Sequence, residues 1–225
     1  QSDKFTGFVK DVADVVVKAA PADLDALLAA NYPNTDKTVG EMIPEKVLVI
    51  GENLKVRRFA RYATGVTVPY IHMAGRIGVL VNMEVEGIDA AAVTELGKDL
   101  CMQVAAMNPS FCDKADVDQT TLDKEKEIQL ALMDNDPKMA SKPLQVKEKI
   151  VLGKMSKYYG ENCLMQMEFV KEKGVSVEQH VAAIAKELGG KISVKSFVRF
   201  ERGEGIEKKQ EDFAAEVAAQ MNMGK

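Results

Sequence analysis

The chain has 225 residues, more than one small core needs, so two subdomains or one core with an insertion are expected. Hydrophobic residues at 46% and charged residues at 28% exclude a disordered chain, and a formal net charge of −4 with a pI near 5.4 gives no general pull toward nucleic-acid phosphates or anionic lipid. No run of about 18 apolar residues predicts a membrane span.

Phe5, Phe8, Val9, Val12 and Val16 fall on one helical face, and this first pattern ends before Pro21. The next segment, Thr38 to Gly65, is the first half of an internal repeat: it lies without a gap on Ser176 to Gly203, 138 residues further on. Val39 meets Val177, Gly51 meets Gly189, Val56 meets Val194, Phe59 meets Phe197, Arg61 meets Arg199 and Gly65 meets Gly203. Each copy reads as a short helix, a glycine-ended turn and a long strand. In both strands the apolar alternation slips phase by one residue, between Val56 and Phe59 and between Val194 and Phe197, which predicts a bulge at the same place.

Thr67 to His72 and Arg76 to Val85 flank the turn Met73-Ala74-Gly75 and read as a β-hairpin belonging to the second module. Val93, Leu96, Leu100 and Val104 repeat the first helical face and stop before Pro109. The spacing from Pro109 to Ser176 exceeds that from Pro21 to Thr38 by 50 residues, so the second copy carries an insertion. Within it, Leu122 to Met133 and Val146 to Tyr159 predict an antiparallel helical hairpin broken by Asp134-Asn135-Asp136-Pro137 and Pro143. Exposed Leu122, Leu132, Ile150 and Met155 would need cover, either from the chain's own body or from a second copy in a homodimer. Beyond Gly203 an acidic turn leads into Phe213, Val217, Gln220 and Met221 on one helical face, for packing on its own domain or on a partner.

Covalent chemistry is hard to place. Cys101, Cys112 and Cys163 lack metal-ligand spacing, are far in sequence from His72 and His180, and read as reduced structural thiols. A partly packed or solvated helical side chain is the simpler reading of His180, whereas His72 sits beside a turn and suits a contact role. Neither Gly75-Arg76-Ile77-Gly78 nor Gly203-Glu204-Gly205-Ile206 completes a phosphate-cradling loop. Arg57, Arg58 and Arg61 read first as a solvated strand face, and the absence of Trp counts against RNA. No catalytic residue, cofactor or metal is expected.

Ile50-Gly51-Glu52-Asn53-Leu54-Lys55-Val56-Arg57-Arg58-Phe59, Tyr70-Ile71-His72 through Gly75-Arg76-Ile77-Gly78-Val79-Leu80-Val81, and Gln103-Val104-Ala105-Ala106 resemble the elongation factor Ts family. So do Val198-Arg199-Phe200-Glu201 and Asp212-Phe213-Ala214-Ala215-Glu216-Val217-Ala218, so that the resemblance runs in order along essentially the whole chain. It implies an α+β fold of two related subdomains of antiparallel sheet plus helices, with an inserted coiled-coil hairpin and a C-terminal helix. The expected boundaries are 1–65 for the first subdomain, 66–111 with 164–205 for the second, 112–163 for the hairpin and 206–225 for the terminal module.

The resemblance further implies a cytoplasmic guanine-nucleotide exchange factor that binds elongation factor Tu and promotes GDP release, with no direct nucleic-acid or membrane partner. An organelle matrix, and a noncatalytic ribosome-associated or scaffold relative, stay open as alternatives. Its expected partner-binding residues are Ile50, Gly51, His72, Met73, Arg76, Val177, Phe213, Val217, Gln220 and Met221. Two positions depart from many relatives: Met73 stands where they carry Gly, and Gln220 where some carry Met. The family's N-terminal helical domain and its Thr-Asp-Phe-Val motif would precede Gln1, so this chain is expected to keep binding surfaces but to exchange nucleotide poorly.

Overall fold

Phe8, Val12, Val15 and Val16 recur at helical spacing and are buried on one side of α1 (Asp3–Ala19). The computed structural model describes residues 2–205, and the chain divides after Gly65 into two compact units. In the first, α1 ends on Ala20 at φ 47, a left-handed cap, and Pro21 follows because it cannot extend the helix. A short helix α2 (Leu24–Ala29) starts where Asp23 accepts the Ala26 N–H at 2.8 Å. Helix α3 (Val39–Ile50) opens on a capping box between Thr38 and Glu41. Leu27 and Val39 are fully buried between these helices, and Phe8 stacks on Tyr32 with ring centroids 6.3 Å apart.

The second unit holds the sheet. Strands β1 (Val66–His72), β2 (Ile77–Glu86) and β3 (Lys191–Glu201) lie antiparallel in the order β1-β2-β3. Helix α4 (Thr94–Met107) covers one face through Leu96, Leu100 and Val104. It lies close because Gly97 has no side chain: a Cβ there would stand 2.4 Å from Val68 Cγ2. Like α1, α4 ends on a left-handed residue, Asn108 at φ 48, followed by a proline.

The inserted segment enters and leaves where Phe111 pairs with Cys163 and the Leu164 N–H donates to the Phe111 carbonyl at 2.9 Å. Helices α5 (Gln119–Asp134) and α6 (Leu144–Asn162) run antiparallel. Lys147 near the start of α6 reaches Asp134 at the end of α5 at 2.5 Å, while Lys154 further along reaches back to Gln129 at 2.9 Å. Met133, Val151 and Met155 are buried between them. The expectation of a surface position for Met155 is corrected: it is core, because α5 and α6 cover each other's apolar stripes. Leu132 is exposed as expected.

Helix α7 (Val177–Glu187) repeats α3 in its bonding. Ser176 and Gln179 form its capping box at the positions matched to Thr38 and Glu41. Gly189 at φ 74 matches Gly51 at φ 81, and Gly203 at φ 85 matches Gly65 at φ 80. The likeness extends upstream of Thr38 and Ser176: the Tyr32 N–H donates to the Lys37 carbonyl and the Phe169 N–H to the Val175 carbonyl, each at 2.8 Å, and both rings are buried.

The two copies part company at the strand. The predicted bulge is present in the second, where the β2–β3 register shifts between Asn82 and Met83 and leaves Lys195 unmatched. In the first, residues 52–63 form no strand, so the expectation of antiparallel sheet in both subdomains is corrected: among the described residues, only the second unit has one. A ladder needs a neighbour, and no other strand of the first unit runs beside this segment. Leu54, Val56 and Phe59 nevertheless pack on the helical core, as their counterparts Ile192, Val194 and Phe197 do in the second unit.

Candidate docking surfaces

The first surface lies at the end of α3. Gly51 closes the helix by donating its N–H to the Val47 carbonyl at 2.8 Å, and a Cβ built on it meets nothing within 4 Å. Glycine is required there by the left-handed φ and not by crowding. Ile50 is half-buried beside it, while Leu48 is 85% and Val49 57% exposed. The matched positions in α7 are Lys186 and Glu187. One copy of the repeated helix thus turns charge to solvent where the other turns an aliphatic pair, Leu48 and Val49, beside Ile50 and Gly51. The residue-by-residue comparison of the copies carries this signal, but periodicity alone hides it.

The second surface is the β1–β2 turn of the sheet unit. His72, Ile77 and Glu201 lie opposite one another across the three strands, and Tyr70, Val79 and Arg199 form the next row on the same face. The central residues of the rows, Ile77 and Val79, are buried. On one flank the Tyr70 hydroxyl lies 3.0 Å from His72 Nδ1. On the other, Arg199 donates to Glu201 at 2.8 Å and Arg76 Nε approaches the same carboxylate at 3.4 Å. The hydrogen bond from Arg199, with the positive charges of both arginines, holds the Glu201 carboxyl below its ordinary range. His72, Met73 and Arg76 are therefore brought together on one turn.

Val177 is placed otherwise. It is fully buried at the start of α7, and its N–H donates to the Met167 carbonyl at 2.9 Å. The expectation that it contacts a partner is corrected to a core role, because it occupies the same inward position as Val39 in the first copy. Phe213, Val217, Gln220 and Met221 lie outside the described residues. His180 is half-buried and stacks on Phe169, centroids 4.1 Å apart.

No group of three or more His, Cys, Asp or Glu that could hold a metal occurs among the described residues. An open cleft of about 580 Å³ at the root of the helical pair is lined by Lys114, Lys126, Tyr159 and Ser176 among others, with neither cysteine nor histidine. The three cysteines are free and buried. Burial pushes the thiols of Cys101 and Cys112 up to about 12 and that of Cys163 to about 11, and a protonated thiol is a poor nucleophile. At pH 8 a disulfide reagent that reports free thiols should therefore leave all three unmodified in the folded protein and titrate three after denaturation. Prompt reaction in the native state would contradict the burial.

The family model described as Elongation factor TS matches residues 1–204. The chain belongs to the elongation factor Ts family. Curated relatives named Elongation factor Ts include that of Syntrophotalea carbinolica, 41% identical over 217 residues, and that of Clostridium perfringens, 43% identical over 219 residues; each match covers 96% of this chain and 70% of the relative. The protein of Clostridium botulinum is 45% identical over 204 residues, covering 89% of this chain and 65% of the relative. As a member of the elongation factor Ts family the chain is a translation elongation factor. No helix among its described residues is long and apolar enough to cross a membrane.

Proposed function

We propose that this chain is a cytoplasmic guanine-nucleotide exchange factor, which binds elongation factor Tu in its GDP form and promotes GDP release without covalent chemistry of its own. The observation that carries this reading is the match of the Elongation factor TS family model to residues 1–204. The end of α3 and the His72–Arg76 turn support it as surfaces suited to a protein partner. In this reading the helix pairs of the two copies are related docking modules, and α5 with α6 forms an inserted coiled-coil arm.

The mechanism needs no reacting side chain. A factor that binds the nucleotide-free GTPase more tightly than the GDP-bound one must weaken GDP binding by the same ratio, because the two binding free energies are linked. Each tenfold of preference corresponds to about 1.4 kcal/mol of contacts made only with the empty form. Calorimetric titration of the chain against nucleotide-free and GDP-loaded elongation factor Tu measures this ratio directly. We expect the empty form to bind at least about tenfold tighter, with release of labelled GDP faster in the presence of the chain than alone. Equal affinity for the two forms would leave nothing to drive exchange, and recovery of ribosomes in place of elongation factor Tu in a pull-down would favour a scaffold role.

A further inference from the structure

Helix α1 matches α4 residue by residue, with buried Phe8, Val12 and Val16 at the places of buried Leu96, Leu100 and Val104. In the same register Phe5, Val9, Ala13 and Val17 match Val93, Gly97, Cys101 and Ala105, one stripe at four-residue spacing in each helix. On α4 this whole stripe is buried, and its centre lies on the β-hairpin. A Cβ on Gly97 would run into Val68 and Met83, and the Cys101 thiol donates to the Val68 carbonyl at 3.2 Å. On α1 the stripe faces water: Phe5 is 37%, Val9 47% and Val17 67% exposed, and Ala13 is exposed between them.

The segment beside that stripe has no ladder. Among the described residues, the backbone from Glu52 to Val56 and from Phe59 to Ala63 makes no hydrogen bond to other backbone. Such a row of open peptide groups is a template for a further strand. A groove of about 220 Å³ runs between α1 and this segment, lined by Phe5, Val9, Leu54 and Val56 among others. The second unit shows what occupies the matching place: β2 pairs with β3 and, together with β1, packs against α4.

Charge selects the occupant. Residues 53–62 include Lys55, Arg57, Arg58 and Arg61 and no acidic residue. Antiparallel pairing with the same segment of a second copy would set these cations against one another, which is unfavourable. In the second unit the acids of β2 meet the lysines of β3, Glu84 with Lys195 at 2.9 Å and Glu86 with Lys191 at 3.2 Å, and Lys195 matches Arg57 of the first copy. We propose that the first unit is a receptor for an acidic strand. An extended segment of a partner protein, apolar on one face and rich in Asp and Glu on the other, adds antiparallel to residues 53–62 and covers the stripe of Phe5, Val9 and Val17.

The probe is a synthetic peptide with the sequence of β2, Ile77–Glu86, in which Asn82→Glu joins the existing Glu84 and Glu86. Its control keeps the same apolar face and carries Asn82→Lys, Glu84→Lys and Glu86→Lys. By the repeat, positions 82 and 84 would face Arg58 and Lys55. Labelled peptide is titrated with the full chain, and amide hydrogen exchange at residues 53–62 is followed with and without it. We expect the acidic peptide to bind about tenfold or more tighter than the lysine peptide, the effect of a few cross-strand ion pairs, and to slow exchange at 53–62. Lys55→Glu, at an exposed site, should narrow or reverse that preference. Val9→Asp should weaken both peptides by removing apolar cover, and both variants should unfold near the parent's thermal midpoint. Equal affinity for the two peptides, or binding without protection of 53–62, overturns the proposal. So does a chain that doubles in mass by itself with 53–62 protected, since a second copy would then be the occupant. Parental affinity in Val9→Asp overturns the part assigned to α1. No GTPase enters the experiment, so its failure leaves the exchange reading standing.

Discussion

Gly190→Ala is expected to destabilise the sheet unit by about 3 kcal/mol, the upper end of what one inserted methyl costs in a tightly packed place. A Cβ at this position would stand 2.3 Å from the Glu86 carbonyl oxygen and 2.4 Å from Ile88 Cγ1. Neither obstacle is the free end of a flexible side chain. The carbonyl belongs to the backbone at the end of β2, where Glu86 pairs with Lys191, so the methyl can be admitted only by lifting the start of β3 away from its neighbour. The adjacent Gly189 supplies the control. It has φ 74, and a Cβ placed on it would meet nothing within 4 Å. Alanine there meets open space and suffers only the left-handed torsion, a cost of about 1 kcal/mol. Urea unfolding of the two single variants should therefore show a much larger loss at 190 than at 189, and equal losses would mean that the close approach of β2 and β3 is not what requires Gly190.

The repeat in the sequence already contains part of this result. Gly189 matches Gly51, and both end a helix in the left-handed region. Gly190 matches Glu52, a residue that could not be accommodated beside a β2-like strand. The difference marks the place where the copies diverge: the second copy has a ladder partner pressed against it, and in the first unit residues 52–63 lie along no strand. Caps and turn glycines are legible in the sequence because they depend on a few adjacent residues. The strand of the first copy is not, because apolar alternation reports which side chains turn inward, and Leu54, Val56 and Phe59 do turn inward, whereas a ladder depends on a second chain segment that alternation does not describe. The candidate site divides in the same way. His72 and Arg76 can be placed on a turn from sequence, but the depth of Val177 and the exposure of Leu48 follow from how helices pack, which spacing leaves open by a rotation about the helix axis.

Gln103, which opens the Gln103-Val104-Ala105-Ala106 motif, is the buried polar residue with the largest expected effect on the fold. Its side chain is fully buried on α4, where the first copy's helix carries the apolar Val15 at the matched position. The amide is used at both ends: Nε2 donates to the Glu168 carbonyl at 3.0 Å, and Oε1 accepts the Val170 N–H at 2.8 Å. These bonds tie α4 to the loop that leads into α7. Gln103→Leu leaves one backbone donor and one acceptor without their partner and is expected to cost about 2 to 3 kcal/mol at any pH. Gln103→Glu distinguishes the bonds from the volume. When protonated, the new carboxyl can donate to Glu168 and accept from Val170 as the amide does, so near pH 4 the variant should be close to the parent. In the unfolded chain that carboxyl ionises from about pH 4.3, while in the fold ionisation would place a charge in an apolar interior facing a carbonyl oxygen, so its folded pKa is raised. The unfolded state then binds fewer protons than the folded one, and stability relative to the parent falls as pH rises from the unfolded value toward the folded one. Unfolding midpoints of parent, Gln103→Leu and Gln103→Glu compared at pH 4 and pH 8 read this out. A glutamate variant as stable as the parent at pH 8 would show that the site does not penalise the charge, and a leucine variant as stable as the parent would show that the loop does not depend on the Gln103 bonds.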